Sequence, residues 1–220
     1  MNVARYELVV FDWDGTLMDS IATIVGCARA ALRDLSLDEP PESVLRGNIG
    51  LGLDVTVATM MPDATPELRQ RWVDRYRHHW RTTFHAHPVL LDGARQVVES
   101  LAARDVLLAV ATSKSRAGLD RDLATTGLGR LIAATRTVDE APSKPSPQML
   151  LELLDELGVQ AEKALMVGDT RYDIEMARNA AVDAVGVLTG SHDESTLRDA
   201  GAVGVLPAAS HLVAWLDGDA

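Results

Sequence analysis

Cysteine is almost absent from this sequence, since Cys27 is the only one. A single cysteine excludes an internal disulfide and a cysteine-based metal site, which fits a reducing compartment. Long apolar segments are also missing: the longest runs, such as residues 106–111, are far shorter than the roughly 20 residues that span a bilayer. The first residues contain no apolar export segment. We therefore expect a cytoplasmic protein that does not insert into membranes.

Basic residues are outnumbered by acidic ones. Lysine and arginine together number 21, against 32 aspartates and glutamates, so the formal net charge is −11. An acidic chain is a poor general binder of nucleic acid or of an anionic membrane surface. It also repels anionic substrates at long range, so a phosphate substrate needs local positive charge or a bound cation. The length, 220 residues, is enough for one core with a smaller inserted module.

Short apolar runs that end in polar residues recur along the chain and predict buried strands. These runs cover residues 8–11, 106–111, 131–134, 164–167, 185–188 and 203–206. Helical patterns lie between them, for example an apolar stripe that begins after Ser146, as helix cap, and Pro147, at the first helical position. The alternation predicts an α/β fold with a Rossmann-like parallel sheet and helices on both faces.

One region lacks any convincing strand pattern. Residues 19–87 show helical periodicity only, including Trp72, Tyr76 and Trp80 at every fourth position. We expect an all-helical module inserted after the first strand. The predicted domains are therefore a core of residues 1–18 and 88–220, and a helical module of residues 19–87.

Polar side chains follow several of the predicted strands. Asp12 and Asp14 come after the first strand, Thr112 after the second and Asp169 after a later one. Because ligands bind outside the carboxyl ends of open parallel sheets, we expect these residues to meet in one crevice. If strand geometry persists, Asp12 and Asp14 share a face. Their repulsion favours a hard divalent cation, most simply Mg2+, whereas the alternative is a polar turn.

Other residues offer charge and hydroxyls to the same crevice, each with a plain structural alternative. Thr112 and Ser113 can hold phosphate oxygens or cap a helix. Lys144 stands in a stiff proline-flanked loop, where it can neutralise a phosphoryl group and Asp12, or be an ordinary exposed lysine. Asp173, four residues after Asp169, can aim at the same cation or cap the following helix.

These pieces, in this order, resemble the haloacid dehalogenase-like (HAD) superfamily of phosphohydrolases. The motifs that carry the resemblance are Asp12-Trp-Asp14-Gly15-Thr16, Thr112 at a strand end, Lys144 before Pro145, and Gly168-Asp169-Thr170 with Asp173. The resemblance covers the whole chain and implies that residues 19–87 form an alpha-helical cap. The sequence looks similar to phosphoglycolate phosphatases and related small-molecule phosphatases. Trp13 departs from the pattern, because such enzymes more often have Leu or Phe there.

The resemblance also implies a mechanism and its residues. Asp12 would attack phosphorus and form an aspartyl-phosphate, and Asp14, which the dehalogenases lack, would act as acid and base. Mg2+ would be held by Asp12, the backbone carbonyl of Asp14, and Asp169, with support from Asp173. The phosphoryl group would be bound by Trp13, Asp14, Thr112, Ser113 and Lys144.

The helical module supplies the candidate specificity residues. Arg46 and Asn48 stand in a loop-like stretch where related caps carry substrate contacts. Arg46 would read a carboxylate or second phosphate, while the alternative is a helix end. The basic stretch 69–87 includes His78, His79, His85 and His87, and we interpret it as a solvated helix face and not as a metal site.

The predicted function is hydrolysis of a small phosphorylated metabolite such as phosphoglycolate. The same motifs serve inorganic pyrophosphatases and sugar-phosphate mutases, and a third alternative is a catalytically silent HAD-fold binding module. The intact set of carboxylates and Lys144 favours an enzyme. The sequence leaves monomer and homodimer open.

Overall fold

The computed structural model describes residues 5–82 and 89–218. Within these ranges, six strands form one sheet in the order β3-β2-β1-β4-β5-β6, with every neighbouring pair parallel. The strands are β1 (Leu8–Phe11), β2 (Leu107–Thr112), β3 (Ala134–Thr137), β4 (Ala164–Gly168), β5 (Asp183–Val187) and β6 (Gly204–Leu206). The α/β prediction is therefore confirmed.

Helices cover both faces of this sheet. Those of the described residues are α1 (Ile21–Asp34), α2 (Glu42–Gly47), α3 (Leu53–Met60), α4 (Pro66–Thr82), α5 (Ala94–Ala102), α6 (Arg116–Thr126), α7 (Gln148–Leu157), α8 (Arg171–Asn179), α9 (Glu194–Ala200) and α10 (Leu212–Asp217). None of these helices combines the length and apolarity that crossing a membrane requires.

Strand β1 is the centre of the fold. It lies between β2 and β4, so the strand order reverses at this point, and the crevice outside its carboxyl end is where such sheets bind ligands. All four of its residues are completely buried. Val9 and Phe11 belong to the apolar core on one face, and Leu8 and Val10 to the core on the other, as the alternation of side chains along a strand requires.

Helices α1 to α4 follow β1 and are called here the helical insertion. They bury an apolar cluster of their own, in which Val25 and Leu32 of α1 pack with Trp72, Val73 and Tyr76 of α4. The absence of strands predicted for this part of the chain holds for its described residues, 19–82. The domain boundaries stay a prediction, because the second one falls among residues 83–88, outside the described ranges.

Strands β2, β4, β5 and β6 differ from the prediction by one or two residues at their ends, and the starts of β3 and α7 differ as well. The apolar run 131–134 predicted a strand, but β3 begins only at Ala134, after a 3-10 helix at Leu128–Leu131. As an edge strand, β3 carries half-buried polar residues, so no apolar run marks it. Helix α7 begins one residue later than predicted, with Pro147 at the cap position.

Candidate active site

The predicted polar residues gather at the carboxyl end of the sheet. Asp12 follows β1, Thr112 ends β2 and Asp169 follows β4, and their exposed fractions are 3%, 1% and 0%. Asp12, Asp14 and Thr112 line a cavity of about 530 Å3 between the sheet core and the helical insertion. The prediction that strand ends converge on one crevice is confirmed for these residues.

Three buried carboxylates form an acidic cluster: Asp12, Asp169 and Asp173 place carboxylate oxygens within 4.8 Å of one another. Lys144, which is buried, contacts two of them. Its Nζ lies 2.6 Å from Asp12 Oδ1 and 2.7 Å from Asp173 Oδ1. Lys144 is thus a buried ion-pair partner of the cluster and not an ordinary surface lysine.

Burial sets the protonation of this acidic cluster. Burial raises the pKa of Asp12 to about 7, although Lys144 beside it acts in the opposite direction. Burial also raises the pKa of Asp169, and the charges of Asp12 and Asp173 add to the effect. Burial alone lowers the pKa of Lys144, but Asp12 and Asp173 outweigh it, so the pKa lies above its usual value. The acidic cluster therefore contains three carboxylates and one lysine, Lys144, which contacts two of them. One positive charge does not balance three negative charges.

The carboxylate oxygens of the acidic cluster are suitable ligands for a hard divalent cation such as Mg2+. All three groups offer oxygen ligands, which Mg2+ prefers. Asp173 Oδ1 is buried and accepts no hydrogen bond from the described residues, so its ion pair with Lys144 is its only compensation there. A cation at this position would offset the repulsion among the carboxylates.

Asp169 is held by groups from two other loops. Thr16 Oγ1 donates to Asp169 Oδ1 at 3.0 Å, and the backbone N–H of Ser191 donates to Oδ2 at 3.0 Å. Gly190 packs directly against this carboxylate: a Cβ there would lie 1.8 Å from Asp169 Oδ2. Only glycine allows the loop to approach so closely.

Asp173 links the acidic cluster to helix α8. Its Oδ2 accepts hydrogen bonds from the backbone N–H of Thr170 at 3.0 Å and from Thr170 Oγ1 at 2.7 Å. Thr170 is the N-cap residue and Asp173 is the third helical residue of a capping box. The alternative that Asp173 itself caps the helix is therefore wrong, because α8 begins at Arg171.

Asp14 is held by a second lysine, Lys114, whose side chain is 7% exposed. Lys114 Nζ donates to Asp14 Oδ1 at 2.8 Å and to Oδ2 at 3.1 Å, and it lies 3.2 Å from Asp122 Oδ2. The indole N–H of Trp13 donates to the same Asp122 oxygen at 3.1 Å. Asp12 and Asp14 are therefore bound to different lysines. The side chain of Trp13 is turned to Asp122, which leaves only its backbone for the phosphate contact predicted.

The hydroxyls of the β2 loop have separate partners. Thr112 Oγ1 accepts the backbone N–H of Lys114 at 3.2 Å, and Ser113 Oγ donates to the carbonyl of Gly50 at 2.7 Å. Ser115, and neither Thr112 nor Ser113, is the N-cap residue of α6. The helix-cap alternative is thus wrong for both. Thr112 and Ser113 line the cavity, and Ser113 also ties the helical insertion to the core.

The two candidate specificity residues have different positions. Arg46 is in the last turn of α2 and its Nε donates to Glu42 at 2.9 Å; it is not among the residues that line the cavity. The stretch is not a loop at Arg46, since the helix continues to Gly47. Asn48 does line the cavity, but it is nearly buried and its amide donates to the carbonyl of Val44.

The structure agrees only in part with the interpretation of the basic stretch, residues 69–87, as a solvated helix face. Arg77 and Arg81 of α4 line the cavity, so this helix brings positive charge to it. His79 Nε2 lies 2.8 Å from Asp34 Oδ2. His85 and His87 lie outside the described residues.

Sequence reasoning assigned no role to Lys114, Asp122, Thr16 or Ser191. Lys114 had a local signal, because a lysine directly after two strand-end hydroxyls in an acidic chain adds charge to the crevice. Asp122 and Ser191 had none. Asp122 meets Trp13 across 109 positions of sequence and Ser191 meets Asp169 across 22, and no local pattern reports such contacts.

Comparison with known proteins gives consistent matches. The haloacid dehalogenase-like hydrolase family matches residues 9–187. The chain is 34% identical over 200 residues to a Dickeya dadantii protein named "Probable phosphatase IndB", covering 88% of this chain and 86% of that one. It is 30% identical over 197 residues to the phosphoglycolate phosphatase of Vibrio cholerae, covering 86% and 87%. A solved hydrolase from Pseudomonas syringae superposes with a TM-score of 0.86 at 25% identity, covering 97% and 98%.

Proposed function

The chain belongs to the haloacid dehalogenase-like hydrolases, and from this premise we propose that it hydrolyses a small phosphorylated metabolite, with Mg2+, through an acyl phosphate of Asp12. Its relatives include named phosphoglycolate phosphatases, and it is a phosphatase. The observation that carries the proposal is the acidic cluster of Asp12, Asp169 and Asp173, with Lys144 buried among its carboxylates.

In the first step, Asp12 acts as the nucleophile. Lys144 holds Asp12 Oδ1 at 2.6 Å, which orients the carboxylate, and a carboxylate oxygen attacks phosphorus. The bond from phosphorus to the leaving oxygen breaks, and Asp14 donates a proton to that oxygen. The products are an alcohol and the acyl phosphate of Asp12.

In the second step, Asp14 acts as the base. Its carboxylate takes a proton from a water molecule, and the water oxygen attacks phosphorus, releasing inorganic phosphate and the free Asp12 carboxylate. Lys114, bound to both Asp14 oxygens, stabilises the carboxylate form that this step needs. The helical insertion over the cavity limits the entry of other water during the first step.

The transferred group needs positive charge around its oxygens. Lys144 supplies part of it, and Thr112 offers a hydroxyl. Mg2+, when held by Asp12, Asp169 and the backbone carbonyl of Asp14 with Asp173 in support, supplies the rest as a Lewis acid. The same positive charge offsets the long-range repulsion between an anionic substrate and a chain of net charge −11.

The test is Mg2+-dependent release of phosphate from a generic aryl phosphate, followed by a panel of phosphoglycolate, pyrophosphate, sugar phosphates and nucleotides ranked by kcat/KM. Asp12→Asn is expected to abolish turnover while circular dichroism shows an intact fold. Asp105→Asn is the matched control, because Asp105 is exposed and Asn tolerates its positive φ of 58°. Unchanged turnover in Asp12→Asn contradicts the mechanism, and a clear preference for pyrophosphate contradicts a monoester substrate.

A further inference from the structure

The cavity next to Asp12 and Asp14 is large for a small anionic substrate. Its volume, about 530 Å3, is within the range of about 300–1,000 Å3 that proteins use for drug-sized ligands. The part formed by the helical insertion is mainly apolar, with Ile24, Val25, Leu45 and Met60 among its lining residues. Phosphoglycolate, whose organic part is a single carboxymethyl group, has nothing to place against these side chains.

An aromatic wall runs along one side of the cavity. Trp72, Tyr76 and Trp80 recur at every fourth position of α4, and all three line the cavity. Their neighbouring ring centroids are 5.5 Å and 6.3 Å apart. Lys114 Nζ, which binds Asp14, lies 4.6 Å from the centroid of the Trp80 ring. The aromatic wall therefore begins next to the catalytic carboxylate and extends into the helical insertion.

We propose that the substrate class is a phosphate monoester whose body is a ring-sized apolar group. The phosphate lies at Asp12, a position that rests on the proposed function. The ring lies along the aromatic wall, because flat rings stack favourably on such side chains.

The experiment compares two primary alkyl phosphates with similar leaving groups, ethyl phosphate and 2-phenylethyl phosphate, each with Mg2+. Burial of the phenyl ring is expected to raise kcat/KM over ethyl phosphate by about 100-fold. Ethyl phosphate turned over as well as 2-phenylethyl phosphate overturns the inference.

One variant locates the effect in the cavity. Ile24→Trp fills the cavity and is expected to lower the ratio of phenyl to ethyl kcat/KM at least tenfold. This ratio is independent of the fraction of enzyme that is folded, because both esters meet the same molecules.

Val44→Trp is the matched control for Ile24→Trp. Val44 is 40% exposed on α2 of the helical insertion and does not line the cavity, so the phenyl to ethyl ratio is expected to stay unchanged. A similar fall in both variants overturns the assignment to the cavity. Phosphoglycolate is run beside the two esters: hydrolysis of none of the three overturns the proposed function and this inference together, whereas a preference for phosphoglycolate overturns this inference alone.

Discussion

At the residue scale, two lysines divide the carboxylates of the candidate site. Lys144 binds Asp12 and Asp173, and Lys114 binds Asp14 and Asp122. The proline-flanked sequence pointed to Lys144, because stiff loops hold side chains in place. The sequence pointed less clearly to Lys114, whose partner Asp122 comes from a helix that no motif marks. A tryptophan at position 13 is unusual for the family. Here the same Asp122 accepts the hydrogen bond of its buried indole N–H, which explains how the core accommodates this residue.

Lys114→Met is expected to destabilise the protein strongly. The substitution leaves Asp14, whose side chain is 15% exposed, without its cation. Asp122, whose side chain is 4% exposed, keeps only the longer ion-pair contact with Arg121 Nη2, at 3.6 Å. Removing one partner of a buried ion pair costs about 3–5 kcal/mol. Urea unfolding at neutral pH measures the loss.

Lys163→Met is the control for this measurement. Lys163 is 41% exposed and its Nζ lies 3.6 Å from Glu7, so its loss is expected to change stability by no more than about 0.5 kcal/mol. Equal stability of the two variants contradicts the buried role of Lys114.

At the element scale, the end of α2 and the loop after it join the helical insertion to the core. Gly50 accepts a hydrogen bond from Ser113, Gly52 donates one to Ser143, and the carbonyl of Gly47 accepts one from Tyr172, at 2.7–2.9 Å. These contacts place the insertion over the acidic cluster. The periodicity of the sequence predicted the helices on each side, but turn residues carry no periodic signal, so the contacts of the loop could not be predicted.

Gly50→Ala is expected to destabilise the protein by about 1–3 kcal/mol. Gly50 has a φ of +99°, and a Cβ there would lie 2.7 Å from Oγ1 of Thr170, the N-cap residue of α8. The strain therefore falls on the hydroxyl that binds Asp173. Urea unfolding gives the change in free energy.

Gly47→Ala makes the same substitution three positions earlier as a control. Gly47 is helical and a Cβ there would have no neighbour within 4 Å, so the variant is expected to gain about 0.4–1 kcal/mol. The element-scale account is contradicted when both variants move in the same direction.

At the scale of the whole molecule, the topology explains why much of the site could be predicted. Parallel strands bring their carboxyl ends to one edge, so Asp12, Thr112 and Asp169 converge although they are far apart in sequence. Periodic patterns did not predict positions beyond the ends of strands and helices. Strand β1 ends at Phe11, so the argument from strand geometry that Asp12 and Asp14 share a face does not apply. Helix α2 likewise continues past Arg46 and pairs it with Glu42. Strand β3 lies at the edge of the sheet, where its two middle residues are only half-buried. Half-buried positions accept polar residues, so no apolar run marks this strand.

Mg2+ is expected to stabilise the whole molecule, because it offsets the repulsion within the acidic cluster. At a Mg2+ concentration 100-fold above its Kd, linkage gives about 2.7 kcal/mol, which raises Tm by about 5–10 °C for a chain of this size. Thermal unfolding in Mg2+ and in NaCl of equal ionic strength measures the shift.

Asp169→Asn removes one of the predicted ligands and is expected to lose most of this stabilisation. Asp105→Asn, at an exposed position, is expected to keep it. A shift in NaCl as large as that in Mg2+ contradicts a specific cation site.

The measurement that tests the central claim most directly is acid quenching of the enzyme during turnover of an aryl phosphate, followed by peptide mass spectrometry. A phosphoryl group is expected on the peptide that contains Asp12. It should be stable in acid and removed by hydroxylamine, as an acyl phosphate is, and it should be absent from Asp12→Asn. Turnover without any such label, or the label on another residue, contradicts Asp12 as the nucleophile.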